Sequence, residues 1–153
     1  MGFDLEGCRP ANESGEFFSI NIWWWGAVWL YVCKVCEDII SDEDKEGGNC
    51  NDGHLIAEDK ALQIAKRLRE EIASGRTKKY EEGRKHWIES LPDEVCDLCK
   101  GTGERHDQYV DGTCNSCKGS GIVRPWITCF PFSEECVRKF TLFCENCGGF
   151  EIF

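Results

Sequence analysis

The cysteines at positions 96, 99, 114 and 117 are the residues whose type and spacing most directly indicate chemistry. They lie in two copies of one motif, CDLCKGTG at 96–103 and CNSCKGSG at 114–121. Four thiolates in two C-x-x-C pairs form the ligand set of a structural Zn²⁺ site, which is tetrahedral and closed to water. The glycines give the backbone the freedom it needs to curl around the ion and bring its amides close to sulfur. The spacing therefore predicts one zinc ion held by Cys96, Cys99, Cys114 and Cys117; paired disulfides or redox thiols are the alternative.

A second metal site is a further candidate, because Cys33, Cys36, Cys50 and His54 have the spacing C-x2-C-x13-C-x3-H. The alternative is that Cys33 and Cys36 are small buried apolar residues on an amphipathic helix, as free cysteines often are. A site that joins Cys33 and Cys36 to Cys144 and Cys147 also stays open at this level. For Cys136, Cys144 and Cys147, which fall on apolar positions of a predicted C-terminal helix, core packing is the favoured interpretation.

Three consecutive tryptophans, Trp23, Trp24 and Trp25, form the second unusual cluster of the sequence. Aromatic side chains stack on nucleobases when basic residues accompany them, but no Lys or Arg lies between Pro10 and Lys34. The cluster is therefore a candidate for core packing or for contact with a protein partner.

The elements that must position these residues indicate an α+β fold with helices and short strands. Helical periodicity predicts helices near 27–40, 57–74 and 80–90, and a C-terminal helix capped by Ser133 before a last strand at 150–153. The first twenty residues are expected to be irregular, and the acidic run 41–48 is expected to be a solvated loop. The large apolar residues fall outside the cysteine-rich segment. We therefore expect a discontinuous scaffold of residues 1–92 and 125–153, interrupted by a zinc module at 93–124 with a β-hairpin between its two knuckles, turning at Asp111 and Gly112.

The net charge and composition of the chain favour some classes of function and location over others. The formal net charge of the 153-residue chain is -10, which opposes direct binding to nucleic acid and is compatible with a basic or nucleic-acid-binding protein as partner. The N-terminus lacks the basic and apolar regions of a signal peptide, and the longest apolar run is too short for a bilayer, so we expect a cytoplasmic protein without membrane contact. None of the three histidines lies in a nucleophile motif, and we expect no enzymatic activity.

The two motif copies resemble the C-x-x-C-x-G-x-G repeat of DnaJ-type cysteine-rich zinc domains. Those domains carry four copies and two zinc ions, so two copies here imply one zinc ion. The His-Pro-Asp signature of the J-domain is missing, so its stimulation of a partner chaperone is not implied. The two-copy arrangement is also similar to that of anti-TRAP-like proteins, which block an RNA-binding regulator by protein contact.

The flanking segments resemble small uncharacterised proteins of bacteria and phages. The residues that carry this resemblance are Gly2 to Leu5, Asn21 to Trp25, Asn51 to Gly53 and Gly148 to Ile152. The expected function is a non-enzymatic zinc-binding protein-interaction module, of the kind that a phage or mobile element uses to inhibit a host defence or regulatory complex; the location would then be the host cytoplasm. Zinc-knuckle binding of nucleic acid and a DnaJ-like accessory role in client binding are the alternatives, and a thiol redox enzyme is a third class.

Overall fold

The computed structural model describes residues 2–153 and divides the chain into two compact units. The scaffold comprises Met1–Lys85 and Phe130–Phe153, and the metal unit comprises His86–Cys129. Each unit combines its own elements, and the mixed α and β character predicted from the sequence is confirmed. Within residues 2–153, no helix has the length and apolar character needed to cross a membrane.

The elements follow one another in the order β1, β2, α1, α2, β3, α3, α4, β4, β5, β6, β7, α5, β8. The helices are α1 Ile22–Val35, α2 Asp42–Gly47, α3 Glu58–Ala73, α4 Arg76–Ser90 and α5 Glu134–Asn146. The strands are β1 Gly2–Gly7, β2 Phe17–Asn21, β3 His54–Ile56, β4 Glu94–Val95, β5 Glu104–His106, β6 Asp111–Thr113, β7 Ile122–Val123 and β8 Phe150–Ile152.

The scaffold contains a four-stranded antiparallel sheet in the order β2-β1-β8-β3. The prediction that the first twenty residues are irregular is wrong, because β1 and β2 occupy half of them. In β1, Phe3 and Leu5 are buried while Asp4 and Glu6 are exposed, which is the alternation of a strand with one solvated face. The helices cover only the face that carries Phe3 and Leu5.

Helix α1 begins at Ile22, earlier than the periodicity predicts, because Asn21 caps it. The Asn21 side chain accepts hydrogen bonds from the amides of Trp23 and Trp24. Trp25 and Trp29 stack on each other in the core, with ring centroids 5.2 Å apart. Their indole N–H groups donate to backbone carbonyls in and after α2, so the two largest core side chains have no unsatisfied polar atom.

The remaining scaffold helices follow the sequence more closely. Helix α3 matches the predicted segment 57–74 to within one residue at each end, and α5 begins after Ser133, whose hydroxyl accepts from the amide of Cys136. Helix α4 begins at Arg76, before the predicted 80. The acidic run that we expected to be a loop contains α2, because Ser41 and Asp44 form a reciprocal capping box at its N-terminus.

The metal unit contains two short antiparallel pairs, β4 with β7 and β5 with β6. The predicted hairpin exists, but its turn lies at 107–110, where the Asp107 carboxylate accepts from the amides of Tyr109 and Val110. The unit extends beyond the expected 93–124 at both ends. Arg124, which follows β7, donates to the carbonyl of Ile88 in the last turn of α4 at 2.7 Å and to that of Leu91 just after the helix at 2.6 Å, so it caps the C-terminus of α4.

Candidate metal centre

The four cysteines predicted as ligands meet at one point of the metal unit. Each offers a sulfur, and the four sulfurs all lie within 4.8 Å of one another. The Cys96 and Cys114 sulfurs are 3.9 Å apart, and those of Cys99 and Cys117 are 3.7 Å apart. A tetrahedron with metal–sulfur bonds of about 2.3 Å has edges of about 3.8 Å. The cluster is therefore positioned to bind one metal ion, and the ligand set fits zinc.

Each knuckle is built by the same contacts, repeated 18 residues later along the chain. The amides of Gly103 and Gly121 each donate to a cysteine sulfur of their own knuckle at 3.3 Å. The amide of Cys114 donates to the carbonyl of Gly103 at 2.8 Å, and that of Cys96 donates to the carbonyl of Gly121 at 2.9 Å. The hydrogen bonds between the two knuckles are therefore reciprocal. The knuckles are related by approximate two-fold symmetry, and each stabilises the other.

The second glycine of each knuckle is required by space as well as by conformation. Gly103 and Gly121 have φ of +79° and +76°. A Cβ on Gly121 would lie 2.3 Å from the carbonyl oxygen of Gly101, and one on Gly103 would lie 2.4 Å from that of Gly119. Because both obstacles are backbone atoms of the opposite knuckle, no side-chain rearrangement can relieve them.

Two features of the knuckles were missed by the sequence reasoning. Lys100 and Lys118 have φ of 53° and 52°, so each knuckle begins its turn with a left-handed residue other than glycine. The hydroxyls of Thr102 and Ser120 donate to the carbonyls of Cys99 and Cys117 at 2.8 Å and thereby fix that turn. The signal was present in the sequence, because both motif copies carry Lys and a hydroxyl residue at the same places.

The electrostatics of the cluster favour a bound cation. The backbone amide of Cys99 is the main cause that lowers the pKa of Cys96, to about 6. Burial raises the pKa of Cys117, but hydrogen bonds with the Gly121 amide, the Cys99 thiol and the Gly119 amide outweigh it and lower the pKa overall. The amide of Cys117 lowers the pKa of Cys114, yet burial and neighbouring thiols raise it overall. Four thiols so close together cannot all ionise unless a cation offsets their charge.

The structure does not bring the second candidate set together. Cys36 is fully buried in the core, where burial raises its pKa to about 12, and burial raises the pKa of Cys33 to about 11. Cys50 is exposed, and the Nε2 of His54 lies 3.1 Å from the Asp44 carboxylate. Within residues 2–153, the tetrad in the metal unit is the only group of three or more such ligands that is close enough to share an ion. Cys33 and Cys36 pack in or against the scaffold core. The partner of His54 is Asp44, which the spacing of the candidate ligands could not reveal.

The cysteines of the C-terminal helix pack as expected. Cys144 and Cys147 are buried among the core side chains, and Cys136 is partly buried against them. Burial holds the pKa of Cys144 well above its ordinary value and raises that of Cys147 to about 11. These thiols therefore act as small apolar groups.

The three tryptophans at 23–25 have different environments because they lie on a helix rather than a strand. Trp25 is only 1% exposed, so the prediction of a partner contact does not hold for it. Trp24 is partly buried against the core. Trp23 keeps 37% of its surface exposed and packs edge-on against Phe130, with ring centroids 5.5 Å apart.

Comparison of the chain with models of protein families, with curated proteins and with solved structures gives no match in any of the three.

Proposed function

We propose that the protein is a non-enzymatic protein-interaction module whose docking unit is stabilised by one zinc ion. The observation that carries the proposal is a closed ligand set beside exposed apolar side chains. All four cysteines are buried, none more than 7% exposed, and four protein ligands leave no coordination position for a substrate or an activated water. The ion would therefore have a structural role.

Three of the exposed apolar side chains of the metal unit lie together on one half of the two-knuckle repeat. Val95 and Ile122 face each other across β4 and β7 and are 63% and 48% exposed; Leu98, between the first two ligands, is 56% exposed. We call these three residues the apolar side. The residues 18 positions away in the repeat are polar: Thr113, Glu104 and Ser116. Because the same backbone tolerates polar residues at the equivalent positions, holding the metal does not require the apolar ones. Exposed apolar groups without a structural need support a docking role.

Binding of nucleic acid is less well supported by the same unit. It contains four Lys and Arg residues, and three of them are ion-paired: Lys100 with Asp97, Arg105 with Asp107 and Arg124 with Asp93. The residual positive charge available for phosphates is small, and a zinc ion held by four thiolates adds about two negative charges. A salt-sensitive gel shift with single-stranded or duplex nucleic acid would reverse this preference.

The repeat supplies its own test variant. Val95→Thr, Leu98→Ser and Ile122→Glu together give the apolar side the side chains of the equivalent half. We expect native protein and this variant both to contain one zinc ion per chain by elemental analysis. In affinity purification from a bacterial lysate, the native chain should retain a discrete protein partner and the variant should lose it.

The matched control is Thr113→Val, which adds an apolar group on the other half and should leave the partner bound. Absence of stoichiometric metal from the native protein would contradict the zinc proposal. A partner that the triple variant still retains would contradict the docking role. Recovery of many unfolded proteins in place of one complex would instead support a chaperone-like role.

As the biological setting we propose inhibition of a host regulatory or defence complex. This proposal is motivated by the acidity of the chain and by the resemblance of its flanking segments to small phage proteins.

A further inference from the structure

Within residues 2–153, no helix or strand covers one face of the scaffold sheet, and the side chains exposed there form an unusual pattern. The residues that define this open face are Asp4, Glu6, Phe17, Leu55, Glu151 and Phe153. Phe17, Leu55 and Phe153 are 52%, 54% and 40% exposed, although an antiparallel sheet ordinarily presents polar residues to water on its solvated face. Three large apolar side chains on one exposed face therefore need a reason.

The register places four of these residues in one row across the sheet. Phe17 of β2 is opposite Glu6 of β1, Glu6 is opposite Glu151 of β8, and Glu151 is opposite Leu55 of β3. In the adjoining row, Asp4 and Phe153 exchange backbone hydrogen bonds of 2.7 Å. The first row reads apolar, acidic, acidic, apolar, and three strand spacings give it a length of about 14 Å.

The two acidic residues in the middle of the row, Glu6 and Glu151, are directly opposite each other on neighbouring strands. Like charges directly opposite each other on neighbouring strands are unfavourable. None of the four strands contains Lys or Arg, and the only such residue among the first 33, Arg9, pairs with Glu58. In the part of the chain that the structure describes, neither Glu6 nor Glu151 has an ion pair. Within residues 2–153, no ion pair with a cationic side chain therefore compensates the repulsion between Glu6 and Glu151.

We propose that the open face is a docking surface for a basic amphipathic segment of a partner protein, separate from the apolar side of the metal unit. The pattern requires two cationic groups over Glu6 and Glu151 and apolar groups about 14 Å apart over Phe17 and Leu55. A helix with Leu at positions 1 and 11 and Lys at positions 4 and 8 matches it, since ten residues of helix span about 15 Å. A second copy of this chain does not match the pattern, because the two acidic open faces and the net charges of -10 on the two chains would repel each other.

The test uses a synthetic alanine-based peptide with that pattern and the ¹⁵N-labelled full chain loaded with zinc. Amide shifts should move at residues 4–6, 17–19, 53–55 and 151–153. The double variant Glu6→Gln and Glu151→Gln should bind the peptide about three- to tenfold more weakly, as expected for the loss of two surface ion pairs. It should also melt about 1–3 °C higher, because the repulsion is relieved.

Two controls distinguish binding at the open face from a general effect of net charge and from binding at the metal unit. Glu43→Gln with Glu46→Gln removes the same charge from exposed positions of α2 and should bind as the native chain does. The triple variant of the apolar side should also bind normally, so failure of the docking role proposed for the metal unit leaves this test intact. The proposal is overturned if a peptide with Glu in place of Lys binds equally, if the shifts map to α2 or the metal unit, or if the open face mediates self-association.

Discussion

The ligand cysteines define the centre, but the residues between and after them decide whether the centre can form. Gly103 and Gly121 each bring one amide to a sulfur and allow the opposite backbone to approach. The motif spacing was sufficient to identify the tetrad, because both ligand pairs are local in sequence. It was not sufficient to reject Cys33, Cys36, Cys50 and His54, whose spacing also suits a metal site although the set lacks the knuckle glycines. Their positions are decided by core packing and by the contact of His54 with Asp44.

Substitution of Gly121 by Ala should weaken metal binding without removing a ligand. The added Cβ meets the Gly101 carbonyl at 2.3 Å, and φ of +76° is unfavourable for alanine. Because metal binding and folding of such a unit are coupled, a cost of about 1.4–2.8 kcal/mol should appear as an affinity about 10- to 100-fold lower. Competition with a chromogenic chelator measures it.

The matched control for that variant is Gly83→Ala in α4. Gly83 has no positive φ, and a Cβ there would contact nothing within 4 Å. Metal affinity should stay unchanged, and the free energy of unfolding should rise slightly. Equal metal affinity in the two variants would show that the close approach of the knuckles does not matter for binding.

At the scale of elements, the sequence predicted the long periodic helices and missed the short helix α2 and the first two strands. Helices α3 and α5 have clear apolar stripes, so their periodicity was readable. Helix α2 was hidden by its acidic composition, although Ser41 and Asp44 form its capping box. Strands β1 and β2 were hidden because each alternates over only a few residues, and because β1 also pairs with β8, which lies more than a hundred residues away in the chain.

Asp44 joins three elements, and its replacement by Asn should destabilise the scaffold. Its carboxylate caps α2, accepts from Lys60 of α3 and lies 3.1 Å from His54 of β3. Burial alone would raise the pKa of Asp44, but the hydrogen bonds from Lys60, Ser41 and His54 outweigh it and hold the pKa below its usual value. We expect Asp44→Asn to lower the free energy of unfolding by about 1–3 kcal/mol at pH 7.

The pH dependence of that difference has a defined sign. Because the folded-state pKa of Asp44 is depressed, its contribution is complete above the unfolded-state pKa of about 3.9 and is lost as the pH falls further. Urea denaturation at pH 7 and at successively lower pH should show the native protein and the variant converging. Asp42→Asn, at an exposed position of the same helix, should change little at either pH. A constant difference over the whole range would exclude the ionised carboxylate as the cause.

At the scale of the molecule, two units are stabilised by different interactions. The scaffold core contains aromatic rings in mutual contact, whereas the buried cluster of the metal unit consists of the four cysteines with Val123 packed against them. The distribution of large apolar residues along the sequence predicted this contrast. The extent of the metal unit was not readable, because the end of α4 is joined to the unit by hydrogen bonds from Arg124, more than thirty residues away in the chain.

Removal of the metal should therefore unfold the metal unit and leave the scaffold folded. With a strong chelator at pH 7, we expect protease cleavage within residues 86–129, while the far-UV circular dichroism of the scaffold helices is largely kept. Acid should act in the same direction, because protons compete with the metal for the thiolates: the pKa of Cys114 is raised, so this thiol is protonated first, and Cys96, whose pKa is lowered to about 6, is protonated only at lower pH. A metal-free chain whose metal unit resists proteases would contradict this account.

The position of β8 between β1 and β3 has a consequence for biosynthesis. The sheet cannot close until the ribosome has added residues 150–152, since both inner pairings of β8 depend on them. The four ligands, by contrast, emerge within one stretch of 22 residues, from 96 to 117, and can capture their ion while translation is still under way. On a nascent polypeptide, the metal unit can thus mature before the scaffold whose first three strands precede it, and those strands wait for β8.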